Sequence, residues 1–210
     1  TMAAKAASTA TPAAASHPTA AAKATATTAT AVTGGDSVAA ALAQNTAAHA
    51  PTTSVAAKTT TITLKGTTIS VDGGGVLVAG SKATITAAGT YSIQGTLSDG
   101  QIVVKTDDKQ PVILVLNGAN ITSSSTSAIY IDKAVEAVIG LADGSKNVLA
   151  DAATYVFAKA DDTEPNAAIF SEANLTIYGG GSLQVTGNYN DGIASKDGLV
   201  IVSGVISVSA

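Results

Sequence analysis

Cysteine and tryptophan are absent from this chain of 210 residues, all eleven basic residues are lysines, and aromatic residues make up only 3%. Without cysteine there is neither a disulfide framework nor a thiolate metal site. Without arginine the chain lacks the planar forks that grip phosphates and base edges, so nucleic acid is not an expected partner. No apolar run reaches the ~18 residues of a membrane span. Nor does the N-terminus carry a signal peptide's apolar centre, which a mature secreted chain has already lost. Both histidines, His17 and His49, lie early in the chain. Histidine chemistry is therefore unavailable to the rest, which also has no nucleophile elbow and no metal-binding histidine pair.

What is present is aliphatic: 46% of the residues are hydrophobic and only 12% are charged. With so few rings, valine, isoleucine, leucine and alanine must fill the core, which suits stacked β-structure. Charge is segregated. Residues 1–58 hold three lysines and one acid, and the remainder holds fourteen acids and eight lysines. The first 58 residues are Ala/Thr/Pro-rich and too poor in large apolar groups to fold alone, so they read as an arm or stalk. Within them "GGDSVAAALAQNTAAH" predicts a short helix over 36–49, capped by Asp36 or Ser37 and stopped by Pro51. The run Ala24, Thr25, Ala26, Thr27, Thr28, Ala29, Thr30, Ala31 and Val32 has the alternation of an extended strand with small side chains.

From Thr59 on, β-branched runs such as "TTITL", "QIVVKT" and "PVILVLNG" alternate with Gly, Asn, Asp and Ser. Ile169, Leu175 and Ile177 recur 24 residues later as Ile193, Leu199 and Ile201, and Leu183 and Val185 recur 23 later as Ile206 and Val208. A period of this size means one supersecondary unit per repeat, stacked on its neighbours. Ile129 joins the series if about 16 residues, 151–166, are inserted before Ile169. The predicted fold of residues 59–210 is all-β: a right-handed parallel β-helix with three short strands per coil.

The acidic turn "NYNDGIASKDGLVI" contains good turn chemistry, since Asn and Asp bond their own backbone and Gly accepts positive φ. It also offers oxygen ligands, which calcium takes six to eight at a time. Asp132, Glu172 and Asp197 are expected at one corner of three successive coils. Stacked carboxylates repel, so either a cation or the facing lysines Lys133 and Lys196 must compensate. The candidate calcium ligands are Asp191 and Asp197, then Asn190, Asp132, Glu172, and Asp161 and Asp162 of the insertion. Tyr178 and Tyr189 flank turns where a ring could stack on a sugar or cover the core's edge. Lys196 is a candidate sugar contact and, with a lowered pKa, a candidate base for uronate β-elimination.

The segments "GTYSIQGTLSDGQIVV", "VILVLNGANITSS", "EPNAAIFSEANLTIYGGGSLQV" and "NYNDGIASKDGLVI" resemble the bacterial secreted carbohydrate-binding domain-containing proteins, similar to a clostridial cellulose- and pectate-binding parallel β-helix. The resemblance runs from about Thr60 to Ala210. It implies an extracellular or cell-surface, calcium-binding protein with a pectate-lyase-like fold that binds cellulose or polygalacturonate without turning it over. A second reading is a filament subunit. In it, Ile206 and Val208 of the last coil pair with the "TTITL" coil of the next copy, and the Ala24 to Val32 strand adds to a neighbour's sheet.

Overall fold

Where the sequence repeats, the chain stacks on itself. β11 (Ala167–Ser171) pairs in parallel with β14 (Asp191–Ser195), placing Ile169 opposite Ile193. β12 (Leu175–Gly179) pairs with β15 (Leu199–Ile201), and β13 (Ser182–Thr186) with β16 (Val205–Ser209). Leu175 thus meets Leu199, Leu183 meets Ile206 and Val185 meets Val208. Like lies on like because a slip of one residue would turn every aliphatic side chain from core to water. One turn earlier, β8 (Ile129–Lys133), β9 (Ala137–Leu141) and β10 (Lys146–Ala150) pair with β11, β12 and β13, with Ile129 opposite Ile169. The expected insertion is therefore the connection 151–166 between β10 and β11.

The computed structural model describes residues 59–157, 159 and 161–210. The chain divides into two units, Thr1–Ser37 and Val38–Ala210, and all described residues belong to the second. The predicted arm 1–58, its helix at 36–49 and the Ala24 to Val32 strand lie outside the described residues.

The described residues are all-β, but the sheets are mixed, which corrects the expectation of purely parallel ladders. β1 (Thr59–Gly66) and β2 (Thr68–Asp72) form an antiparallel hairpin, as do β3 (Val76–Ala79) and β4 (Lys82–Ile85). Gly66 and Gly80 reverse the chain there with φ of 68° and 60°, a conformation that costs glycine little. β1 and β4 then continue the parallel stack onto β5 (Gly89–Leu97) and β6 (Gln101–Lys105). Each hairpin covers an edge that a bare first coil would expose. The "TTITL" stretch in β1 thus has β5 on one edge and β2 on the other, so it is not open to another copy's strand.

The long β7 (Val112–Thr122) bends through a corner, pairing with β9 along its first half and β10 along its second. Aliphatic rows run through the stack. Ile62, Ile93, Leu116 and Leu141 occupy one register row, and each is at most 2% exposed. Full burial of such a side chain contributes about 1.5–3 kcal/mol. At the corner, buried Asn147 accepts hydrogen bonds from Gly118 N and Ala119 N through Oδ1 and donates to Ser182 O and Ser145 Oγ through Nδ2. It satisfies backbone groups that the bend removes from the ladder.

Candidate functional site

In the six-stranded sheet, Ile102, Val104, Ile129, Ile131 and Ile169 belong to the core. Alternation sends Val103, Tyr130, Phe170 and Ala194 to the outer face, where register places them side by side. Val103 and Phe170 are nonetheless buried, and the tilted rings of Tyr130 and Phe170 have centroids 6.0 Å apart.

The insertion lies against this sheet. Ala152 N and Val156 N donate to Thr126 O and Ser125 O, just before β8. The Tyr155 hydroxyl is 2.7 Å from Asp151 Oδ2 and 3.0 Å from Ala167 O. The buried Asp151 carboxylate also accepts from Asn188 N, and Asp151 O accepts from Asn188 Nδ2 at 2.8 Å. Tyr189 stacks on Tyr155 at 4.4 Å and 21°, with Phe157 edge-on at 6.2 Å. Burial, then the Asp151 hydrogen bond and charge, push the Tyr155 pKa up, so its hydroxyl stays protonated and donating.

Between the insertion and β4, β6 and β8 runs an open groove of about 800 Å³. Tyr130, Val156 and Phe157 supply apolar and aromatic surface, Gln101, Ser123 and Thr126 supply neutral polar groups, and Lys82, Lys105, Lys159, Asp99, Asp132, Asp162 and Glu164 supply charge. Several of these groups are already positioned by protein partners. Gln101 Nε2 donates to Ser127 O and Oγ, Asp99 accepts from Ser124, and Lys105 pairs with Asp132. A recess of about 370 Å³ adjoins at Tyr130, Asp162 and Glu164, and Asp161, Thr163 and Glu172 complete its wall.

The corner register differs from the expected one. Ile131, Ser171 and Ser195 share a row, so the residues that follow them, Asp132, Glu172 and Lys196, form the next. Asp197 falls one residue beyond. Lys196 pairs with Glu172 at 3.3 Å and with Glu164 of the insertion. Hydrogen bonds donated to Glu164 and then to Glu172 raise the Lys196 pKa, and one donated to Asp132 raises that of Lys105 in the same way. Lys133 pairs with Asp107.

Of the seven expected calcium ligands, Asp161, Asp162 and Glu172 share the recess, while Asp132 lines the groove beside it. Asp191, Asn190 and Asp197 line neither. Asn190 Nδ2 instead donates to Asp191 at 3.0 Å, and both residues are exposed. Among the described residues no three Asp, Glu or His side chains gather closely enough to hold a metal ion by themselves. None of Tyr178, Tyr189 and Lys196 lines the groove. Tyr178 lies over Gly140, where a Cβ would come within 3.5 Å of its ring. Ile206 is half-buried against the core and Val208 is exposed on the last coil. Sequence reasoning missed Tyr130 and Phe157. The signal was the clustering of Tyr155 and Phe157 inside the insertion of a chain with only five tyrosines and two phenylalanines.

An open groove along stacked strands suits an extended polymer better than a small enclosed substrate. Residues 79–210 match the carbohydrate-binding domain-containing proteins, and the chain belongs to that family. A curated relative of the same description from Acetivibrio thermocellus is 43% identical over 133 residues, which are 63% of this chain and 46% of the relative. The chain therefore spans about half the length of that relative. A solved structure described as the polysaccharide lyase-like protein from C. thermocellum, gadolinium derivative, superimposes with a TM-score of 0.70 at 39% identity. That match covers 72% of this chain and 61% of the other.

Proposed function

We propose that this chain is a non-catalytic, extracellular polysaccharide-binding domain on a right-handed parallel β-helix, and that the polysaccharide lies in the groove beside the 151–166 insertion. The observation that carries the reading is the groove itself, where Tyr130 and Phe157 border fixed hydrogen-bonding groups. Sugar rings have apolar faces that stack on aromatic side chains and hydroxyl rims that need donors and acceptors. Family membership and the lyase-like neighbour support a polysaccharide ligand. The parallel crossovers support the right-handed coil, the hand of nearly all such connections.

Against turnover stands the state of the lysines. Abstraction of a proton beside a uronate carboxylate needs a base poised near neutral pH. The carboxylate partners of Lys105 and Lys196 move their pKa values the other way. Calcium enters the proposal as a bridge. Asp161, Asp162, Glu164 and Glu172 around the recess offer hard oxygens, and a polyuronate would supply the ligands that the protein set lacks. Without such a bridge the acidic body repels a polyuronate. The filament reading has one correlate, the exposed Ile201, Val202, Val205 and Val208 of the last coil. A further coil of a longer chain would cover them equally, so we favour the binding reading.

The test compares the native chain with a Tyr130→Ala/Phe157→Ala variant for retention on cellulose and on polygalacturonate. Loss of retention with an unchanged circular dichroism spectrum supports the groove. Full retention on both polymers removes it, and unsaturated-uronate absorbance growing with time overturns the non-catalytic assignment.

A further inference from the structure

The bend in β7 holds a chemically reactive pair of residues. Asn117-Gly118 is the chain's only Asn-Gly sequence. Glycine has no Cβ, so the amide nitrogen that follows the asparagine is unshielded and can attack its side-chain carbonyl carbon in water. Asn117 is exposed, and a Cβ built on Gly118 would meet nothing within 4 Å, so no neighbouring group screens the pair from solvent. The bend nevertheless requires its glycine, whose φ is 78°. The turn chemistry that shapes the corner thus also creates a hazard there.

One side chain opposes the reaction. Asn147 on β10 is 1% exposed, and its Oδ1 accepts from Gly118 N at 3.0 Å and from Ala119 N at 2.9 Å. Its own amide is fixed in turn, because Nδ2 donates to Ser145 Oγ at 2.9 Å and to Ser182 O at 3.0 Å. Attack needs Gly118 N to release its proton and to turn toward Asn117 Cγ. The bond to Asn147 holds that proton, and the second bond at Ala119 keeps the peptide from turning. Only local opening of the corner frees the nitrogen.

We infer that Asn117 is a deamidation site held in check by Asn147. In the reaction Gly118 N bonds to Asn117 Cγ, the Cγ–Nδ2 bond breaks, and the Gly118 proton leaves with the side-chain nitrogen as ammonia. Water then opens the cyclic imide at either carbonyl, giving aspartate or isoaspartate. No oxidant, reductant or cofactor is consumed. Either product adds a carboxylate, and isoaspartate also lengthens the main chain by one carbon. That carbon would enter where β7 passes from β9 to β10, between Leu116 opposite Leu141 and Asn120 opposite Val148. The like-on-like register on the two sides of the bend would then no longer match.

The test follows Asn117 by peptide mapping with mass spectrometry during incubation of the full chain at mildly alkaline pH, beside the same chain in denaturant. The native chain should deamidate at least about tenfold more slowly than the denatured one. Asn147→Ala should erase most of that difference. Leu149→Ala, which opens a cavity in the same buried strand but leaves the atoms around Gly118 N in place, should lower the melting temperature and still keep Asn117 slow. If Asn147→Ala does not fold by circular dichroism, Ser145→Ala replaces it, removing only a bond that fixes the Asn147 amide, and should speed the reaction about threefold. Native and denatured chains that react alike overturn the inference, as does a folded Asn147→Ala, or in its place Ser145→Ala, no faster than the unaltered chain. Leu149→Ala as fast as the variant of the Asn147 contact also overturns it, because the protection would then belong to the fold as a whole.

Discussion

Lys196 stands 3.3 Å from Glu172 on the preceding coil, in the position that an expected stack of carboxylates would have given to Asp197. The difference is a single residue of register: Ser195 pairs with Ser171, so Lys196 rather than Asp197 follows onto the level of Glu172. Because Lys196 also holds Glu164, the pair ties the end of the insertion to the last coil. Lys196→Glu would set three carboxylates together. Limited proteolysis within 151–166 should then accelerate, whereas Lys196→Gln should change it far less; equal rates in both variants would show that the ion pair does not restrain the insertion.

Alkaline pH should weaken the fold. Lys196 and Lys105 have folded-state pKa values above the ordinary lysine value because of their carboxylate partners. Tyr130 and Tyr155 are raised mainly by burial. All four hold protons in the folded state that the unfolded chain has released at the same pH. Their contribution is complete below the unfolded values of 10.0 for tyrosine and 10.5 for lysine, and is lost as pH rises through the folded values. The melting temperature should therefore show no loss from these groups at neutral pH and fall from about pH 10 upward. A melting temperature that stays level to pH 12 would contradict this linkage.

Asp151→Ala should be among the most damaging changes outside the aliphatic core. It removes the acceptor of Asn188 N and leaves the buried Tyr155 hydroxyl with Ala167 O as its remaining acceptor. Each buried donor left unsatisfied costs about 1–3 kcal/mol. At about 2–4 °C per kcal/mol, the loss at Asn188 N should lower the melting temperature by roughly 2–12 °C. Asp151→Asn, which keeps the shape and one acceptor oxygen, should lose less, as calorimetry of the two variants would reveal.

Tyr178→Ala should leave polysaccharide affinity unchanged, because that ring lies over Gly140 and not in the groove. Tyr130→Ala should weaken binding about tenfold, the scale of one aromatic contact plus its buried area. Tyr189→Ala acts indirectly, by removing the ring stacked on Tyr155, so its effect should include a lowered melting temperature that the Tyr178 variant lacks. Affinity electrophoresis beside thermal melts separates these outcomes.

Calcium should raise the melting temperature if it binds the folded chain alone, and chelator should reverse the shift. With the bridging role, chelator should also abolish retention on polygalacturonate while leaving retention on neutral cellulose nearly intact. Coincident melts together with chelator-resistant polygalacturonate binding would eliminate calcium from the proposal.

The stacking of residues 129–210 was legible because a parallel ladder places like residues side by side. Leu175 above Leu199 and Val185 above Val208 therefore appear in the linear chain as a repeat, and the displaced Ile129 betrayed the insertion. The same sequence determined that aliphatic residues alone would fill the interior, having so few rings to offer. Tertiary structure decided what the repeat could not express. The hairpins of β1 with β2 and β3 with β4 break the periodicity at the start of the body, where edges must be closed. The groove is lined by both Tyr130 on β8 and Phe157 in the insertion, two residues that share no row and face one groove because the hydrogen bonds of Asp151, Tyr155 and Asn188 fix the path of the loop. Periodicity records which residues repeat along the ladder. A site built from a single inserted loop occurs once and leaves no period, so its geometry exists only when the loop's own hydrogen bonds hold it against the sheet.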